Sequence, residues 1–191
     1  MWWVLTRTVA IGCTALAVKI VDDALDRELD LLRGRPGLTA TLEEASAAYV
    51  GILVVLAALL SLHDAVSLFA AAYIWGMVKA PGVLLPWGGR AWQESVLVAL
   101  VVGAGLGPWP LITALLSLGA VQFLDDLIDE HPCHNGEWLW LERAALAVVL
   151  LLIAGYIDVV KVGAVLASSG TLWFVELRAC RGGGERVGRD V

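Results

Sequence analysis

Two copies of one acidic pattern each close a long apolar stretch: Val18-Lys-Ile-Val-Asp22-Asp23-Ala-Leu-Asp26 and Val121-Gln-Phe-Leu-Asp125-Asp126-Leu-Ile-Asp129. Carboxylates are costly at membrane depth and persist there where they pair, bind a cation or line a functional path. A fold for this chain must therefore bury long apolar segments and still bring both clusters to water or to metal. Composition points to the bilayer as the solvent. The chain is 59% hydrophobic with a mean hydropathy of +0.79, against about 45–50% apolar residues in ordinary soluble domains. Several of the nine tryptophans fall near segment ends, where a ring that is half apolar and half wet is favoured: Trp2, Trp3, Trp87, Trp92, Trp109, Trp138 and Trp140.

Crossing the hydrocarbon core takes about 20 apolar residues. On that measure the sequence predicts an all-α, polytopic transmembrane helix bundle with about seven spans, near 2–21, 45–62, 65–85, 93–107, 109–124, 138–157 and 160–177. The fourth is short and carries Gly103, Gly105 and Gly107, which predicts tilt or close packing. Very short connections are expected around His63-Asp64, Gly107-Pro108 and Asp158. The long connections, 22–44 and 125–137, both begin with an aspartate cluster. A transmembrane domain over 1–178 is followed by a flexible basic tail, 179–191, whose expected part is topology and attraction to anionic lipid. The first segment reads as a retained helix, since no basic residue precedes it and no cleavage signal follows.

Basic residues orient these spans. Lys19, Arg27, Arg33, Arg35, Lys79, Arg90, Arg143, Arg178, Arg181, Arg186 and Arg189 fall on one side, and only Arg7 and Lys161 on the other. That asymmetry predicts an integral protein of the inner (cytoplasmic) membrane, N-terminus outside and tail in the cytoplasm. Four helices separate the two clusters, so both face the cytoplasm. The net charge of −6 arises largely from these clusters, and the absence of a basic stripe argues against a nucleic-acid partner. Cys13, Cys133 and Cys180 are scattered and define no disulfide framework.

On a helix, Asp22, Asp26 and Asp30 recur at one-turn spacing, and Asp23 lies near Asp26 and Asp30. Asp125 or Asp126 with Asp129 repeats the arrangement. Like charges this close repel unless a cation bridges them. All-oxygen sites suit Mg²⁺, which binds through one or two carboxylates plus substrate phosphates. The blander alternative is a solvated helix end balanced by Arg27, Arg33 and Arg35. Two matched clusters on one side favour paired Mg²⁺ platforms facing one diphosphate.

Asp22-Asp23-Ala-Leu-Asp26-Arg-Glu-Leu-Asp30, followed by Arg35-Pro36 and Glu43-Glu44-Ala45, resembles the first aspartate motif and its continuation in the UbiA superfamily of intramembrane prenyltransferases. Asp125, Asp126 and Asp129 resemble the second motif, and Tyr73-Ile-Trp-Gly-Met-Val-Lys79 is similar to the Tyr-to-Lys segment between them. The resemblance implies Mg²⁺-dependent transfer of a prenyl group from an isoprenyl diphosphate to a lipophilic, aromatic acceptor within membrane lipid. It implies metal ligation by Asp22, Asp23, Asp26, Asp30, Asp125, Asp126 and Asp129. Among these, Asp23, Asp26, Asp126 and Asp129 would be catalytic. Diphosphate contacts would come from Lys79, Arg33 and Arg35, although each also fits a plain role at the cytoplasmic interface. Family members usually have nine spans. This chain reads as the core without the first and last helices, which calls for an open pocket wall or a homo-oligomer.

Other readings share parts of the pattern. Soluble isoprenyl diphosphate synthases also carry two such motifs, but long apolar spans and charge asymmetry oppose a soluble chain. An integral terpene cyclase shares the ionisation chemistry. A non-catalytic divalent-cation binder, a transporter or a degenerate subunit would use the carboxylates without turnover. Glu130-His131-Pro-Cys133-His134 contains zinc-capable ligands, but with no second half it reads as a polar loop. His63 reads as structural, Asp158 as a partner of Lys161 or of water, and Glu176 as a partner of Arg178 or the tail.

Overall fold

The computed structural model describes the backbone of residues 1–33, 45–79, 81–129 and 137–184, and the side chains of 1–25, 45–79, 81–124 and 142–172. Among them the chain is all-helical: α1 (Trp2–Arg33), α2 (Ser46–Val78), α3 (Ala91–Leu106), α4 (Pro108–Asp129) and α5 (Glu137–Gly184). One isolated bridge, Leu84 to Arg90, pins the α2–α3 connection. Three helical stretches are long and apolar enough to cross a membrane, Trp2–Leu25, Ser46–Val78 and Glu142–Leu172, and Ala91–Leu106 and Pro108–Leu124 are shorter apolar helices. Large apolar side chains cover much of the outer surface, among them Ile52, Leu59, Leu100, Val101, Leu152 and Tyr156. Lipid is the environment that suits so much exposed apolar surface.

Two helices are interrupted by a single extended residue, Ser61 in α2 (φ −158°, ψ 92°) and Asp158 in α5 (φ −151°, ψ 88°). Both are N-cap residue types restarting a helix. The Asp158 carboxylate accepts the Lys161 backbone N–H at 3.0 Å, and the Ser61 hydroxyl donates to Asp64 Oδ2 at 2.7 Å. α2 and α5 are thus each two helical pieces. The break expected near His63-Asp64 falls at Ser61 because the serine, not the acid, takes the extended conformation. Gly107, at φ +86°, separates α3 from α4, a conformation open mainly to glycine. Pro108 and Pro110 then occupy the first turn of α4, where a missing N–H costs little.

Three expectations are corrected. The segment placed at 65–85 ends at Val78, because Pro81 disfavours helix in the residue before it and Gly82 follows. A Cβ added at Gly103 or Gly105 would meet no atom within 4 Å, so these glycines mark no tight packing. α1 and α4 extend well past 21 and 124, carrying helix through both aspartate clusters to Arg33 and Asp129. α5 likewise continues to Gly184, while 185–191 of the expected tail lie outside the described residues.

The core is a cluster of Ile11 (α1), Leu68 and Ala71 (second piece of α2), Ala114 (α4), and Ala164 and Val165 (second piece of α5), with Leu115, Leu118 and Val121 packed against it. A common direction follows from the register. About one helical turn earlier in each helix, Arg7, Asp64, Pro110 and Lys161 meet; further along, Asp22, Gln122 and Leu172 line one cavity. These four helical pieces therefore run parallel, all starting at one end and finishing at the aspartate end.

Candidate functional site at the aspartate end

A mostly apolar cavity of about 150 Å³ lies between α1, α2, α4 and α5. Lys19 and Asp22 reach it from the first motif, Val121 and Gln122 from the second. Thus the parallel bundle brings the two motifs, a hundred residues apart in sequence, to one opening. Helical backbone through residue 33 in α1 and 129 in α4 keeps Asp22, Asp26 and Asp30, and Asp125 and Asp129, at the one-turn spacing a carboxylate stripe needs.

The two neighbouring acids of the first motif differ. Successive helical residues do not share a face. Asp22 lines the cavity, whereas Asp23 is buried with its Oδ1 3.0 Å from Lys19 Nζ, one turn back. Lys19 touches both the cavity and that ion pair, a placement the sequence reading assigned only to charge asymmetry. Lys79 caps the end of α2, exposed and outside the cavity lining. The side chains of Asp26, Asp30, Arg33, Asp125, Asp126 and Asp129, all of Arg35, and the 130–136 loop with His131, Cys133 and His134 lie outside the described residues, as do the side chains of Glu176 and Arg178. Among the described residues no group of three His, Cys, Asp or Glu side chains could hold a metal.

α4 is fixed beside α2 by a tryptophan seam just ahead of the second motif. Trp75 Nε1 donates to the Leu115 carbonyl at 2.9 Å, and its ring meets Phe123 edge-on at 6.3 Å. Gly119 makes room for that ring, since a Cβ there would lie 2.5 Å from Trp75 Cζ2.

The opposite end holds a different polar centre, where the three short connections and the start of α1 converge. Arg7 donates from Nε and Nη2 to both oxygens of Asp64 at 2.7 and 2.9 Å, and from Nη2 to Asp158. Lys161, 1% exposed, sits 3.1 Å from Asp64 Oδ1 and donates to Ser67 Oγ at 3.0 Å and the Pro110 carbonyl at 3.3 Å. Arg7 also lies over the Trp3 ring, 4.7 Å from its centre. Asp158 takes Arg7 as its ionic partner, not the Lys161 ammonium, because Lys161 turns inward to Asp64 and offers Asp158 only its backbone N–H. His63 is exposed and lines a second cavity of about 370 Å³ beside this network. Arg7 was legible only as an outer basic residue; its partners lie 57 and 151 positions away. Short connections rich in Asp on the side nearly devoid of base were the one signal that could have found it.

Among the described residues, the acids at this end are matched by their own cations, two for two. The cavity at the aspartate end is the candidate site. No family model, curated protein or solved structure matches this chain, so the cavity and the residues lining it carry the functional argument.

Proposed function

We propose that this chain is an integral membrane enzyme that transfers a prenyl group from an isoprenyl diphosphate to a lipophilic, aromatic acceptor, with Mg²⁺ as cofactor. One observation carries the reading: a single, mostly apolar cavity is lined by Lys19 and Asp22 of the first aspartate motif and by Val121 and Gln122 of the second. A mostly apolar chamber with Lys19 and the Asp22 carboxylate in its lining suits a ligand that is hydrocarbon at one end and polyanionic at the other. A transporter needs a polar path through the bundle, whereas among the described residues the lining of this cavity is mostly apolar.

The donor chemistry fits Mg²⁺. Asp22, Asp26 and Asp30 from α1 and Asp125, Asp126 and Asp129 from α4 are all-oxygen ligands on helices that end at the same side, with Asp23 held nearby by Lys19. When bound, the metal supplies charge neutralisation to the diphosphate leaving group. The chain's own residues orient the headgroup at the mouth, keep the tail in apolar surroundings and hold water away from the allylic carbon. Lys79, Arg33 and Arg35, by their charge, add attraction for the polyanion at the cytoplasmic face.

The breaks at Ser61 and Asp158 divide five helices into seven helical segments, which suits a seven-span, UbiA-like bundle with the N-terminus outside and the site facing the cytoplasm. Mg²⁺-dependent consumption of allylic diphosphates by the full chain in nanodiscs tests the reading. Turnover in the parent that is lost in Asp26→Ala and Asp129→Ala is the expected result. Metal binding with no effect of any diphosphate would replace it with a non-catalytic cation-binding protein.

A further inference from the structure

We infer that the Lys19 ammonium anchors the diphosphate, and that it gives two otherwise matched half-sites a donor side. The inference rests on the prenyl-transfer reading of the same site. The two aspartate motifs are the ends of a longer repeat. Setting Asp22 on Asp125 carries α1 onto α4, and buried residues then coincide: Ile11 with Ala114, Thr14 with Ser117 and Ala17 with Ala120. The Thr14 and Ser117 hydroxyls even make the same bond, each donating to the carbonyl four residues back. Setting the Ser61 break on the Asp158 break carries α2 onto α5 in the same way. Ala57 then matches Ala154, Asp64 matches Lys161 and Leu68 matches Val165, all of them buried.

Matched residues also meet each other. Asp64 Oδ1 lies 3.1 Å from Lys161 Nζ, and Ile11, Ala114, Leu68 and Val165 share one core cluster. Contact between counterparts marks a two-fold axis. Because α1 and α4 run parallel, this pseudo-axis follows the bundle, as in membrane proteins built from parallel repeats. The cavity at the aspartate end straddles it, lined by Val18 with Val121, Leu68 with Val165 and Lys19 with Gln122. A transfer reaction has two unlike partners, and a symmetric lining would not tell them apart. Among the described residues, Lys19 with Gln122 is the one matched pair in this lining that sets a charge against a neutral side chain. The other base of the first motif, Arg27, is matched by Glu130, so the second motif keeps neither base. Lys19 is partly exposed, with Nζ 3.0 Å from Asp23 Oδ1. An ammonium carries three donors, enough to hold Asp23 and phosphate oxygens together. The diphosphate therefore belongs on the side of the first motif.

The test is Mg²⁺-dependent binding of inorganic pyrophosphate to the full chain in nanodiscs, a probe with neither tail nor acceptor. Lys19→Gln installs the residue that the matched position already carries and should weaken binding about 10-fold or more. Adding Gln122→Lys to that variant moves the lysine across the pseudo-axis, one turn before Asp126, and should recover most of the loss. Mg²⁺ affinity measured without pyrophosphate should not fall in Lys19→Gln, since the change removes a competing cation. Unchanged pyrophosphate binding in Lys19→Gln, no recovery in the double variant, or a loss that only follows weaker Mg²⁺ binding would overturn the anchor and leave prenyl transfer standing. No Mg²⁺-dependent pyrophosphate binding by the parent would also overturn the anchor. If the parent consumes no allylic diphosphate either, the prenyl-transfer reading falls with it.

Discussion

The two ends of the bundle solve the same problem in opposite ways. Each concentrates carboxylates against apolar helices. At the end where α1 begins, Asp64 and Asp158 are met by Arg7 and Lys161, and every partner is supplied by the chain. At the other end, residues 121–130 contain Asp125, Asp126, Asp129 and Glu130 with no cation among them, and 18–30 hold five acids against Lys19 and Arg27. At the first end the charges pair one for one, whereas within each aspartate motif the acids outnumber the bases. Carboxylate content alone does not mark a site; the local balance does.

The largest effect that would sharpen this contrast is thermodynamic. Asp64→Leu alone strands the buried Lys161 ammonium and should cost about 3–5 kcal/mol in denaturant unfolding, while Lys161→Met leaves Asp64 on Arg7 and should cost less. The double variant leaves Arg7 with Asp158 and should be destabilised by less than the sum of the two singles. Additive losses would show that the network is not coupled. At temperatures where these variants stay folded, Mg²⁺-dependent diphosphate binding should persist; its selective loss would erase the division between ends.

A smaller effect should come from the seam that places the second motif. Gly119→Ala drives a methyl into the Trp75 ring and should cost roughly 1–3 kcal/mol by the same unfolding assay. It should also weaken Mg²⁺-dependent binding more than a network variant of equal stability does, because α4 carries Asp125 to Asp129. Smallest is Trp75→Phe. It removes the indole donor to the Leu115 carbonyl and should cost about 0.5–1.5 kcal/mol. A cost near zero would mean that ring packing alone holds the seam.

Much of the architecture was legible because turn chemistry is local. Gly107-Pro108 and Asp158 mark breaks through backbone conformation and capping, and both appear where the sequence put them. The helical carboxylate spacing in the first motif was legible for the same reason, and α1 does continue through it. What connects distant turns was hidden. Nothing near Arg7 in sequence announces Asp64 or Asp158, and Asp158 with Lys161 looked like a local pair until packing drew the ammonium inward. Lys19 was hidden likewise, since only the approach of α1, α4 and α5 creates the cavity it lines. For the candidate site, the residue types and the shared side of the two motifs were readable, and the particular side chains that line the cavity were not.

The most direct measurement is a double-mutant comparison across the two motifs: Mg²⁺-dependent binding of a fifteen-carbon allylic diphosphate to the parent, Asp26→Asn, Asp129→Asn and the double variant. If both clusters serve one site, each single should lose about 100-fold or more, and the double should lose little beyond either single. Losses that multiply, or a single variant that binds like the parent, would contradict a shared site at the end of this bundle.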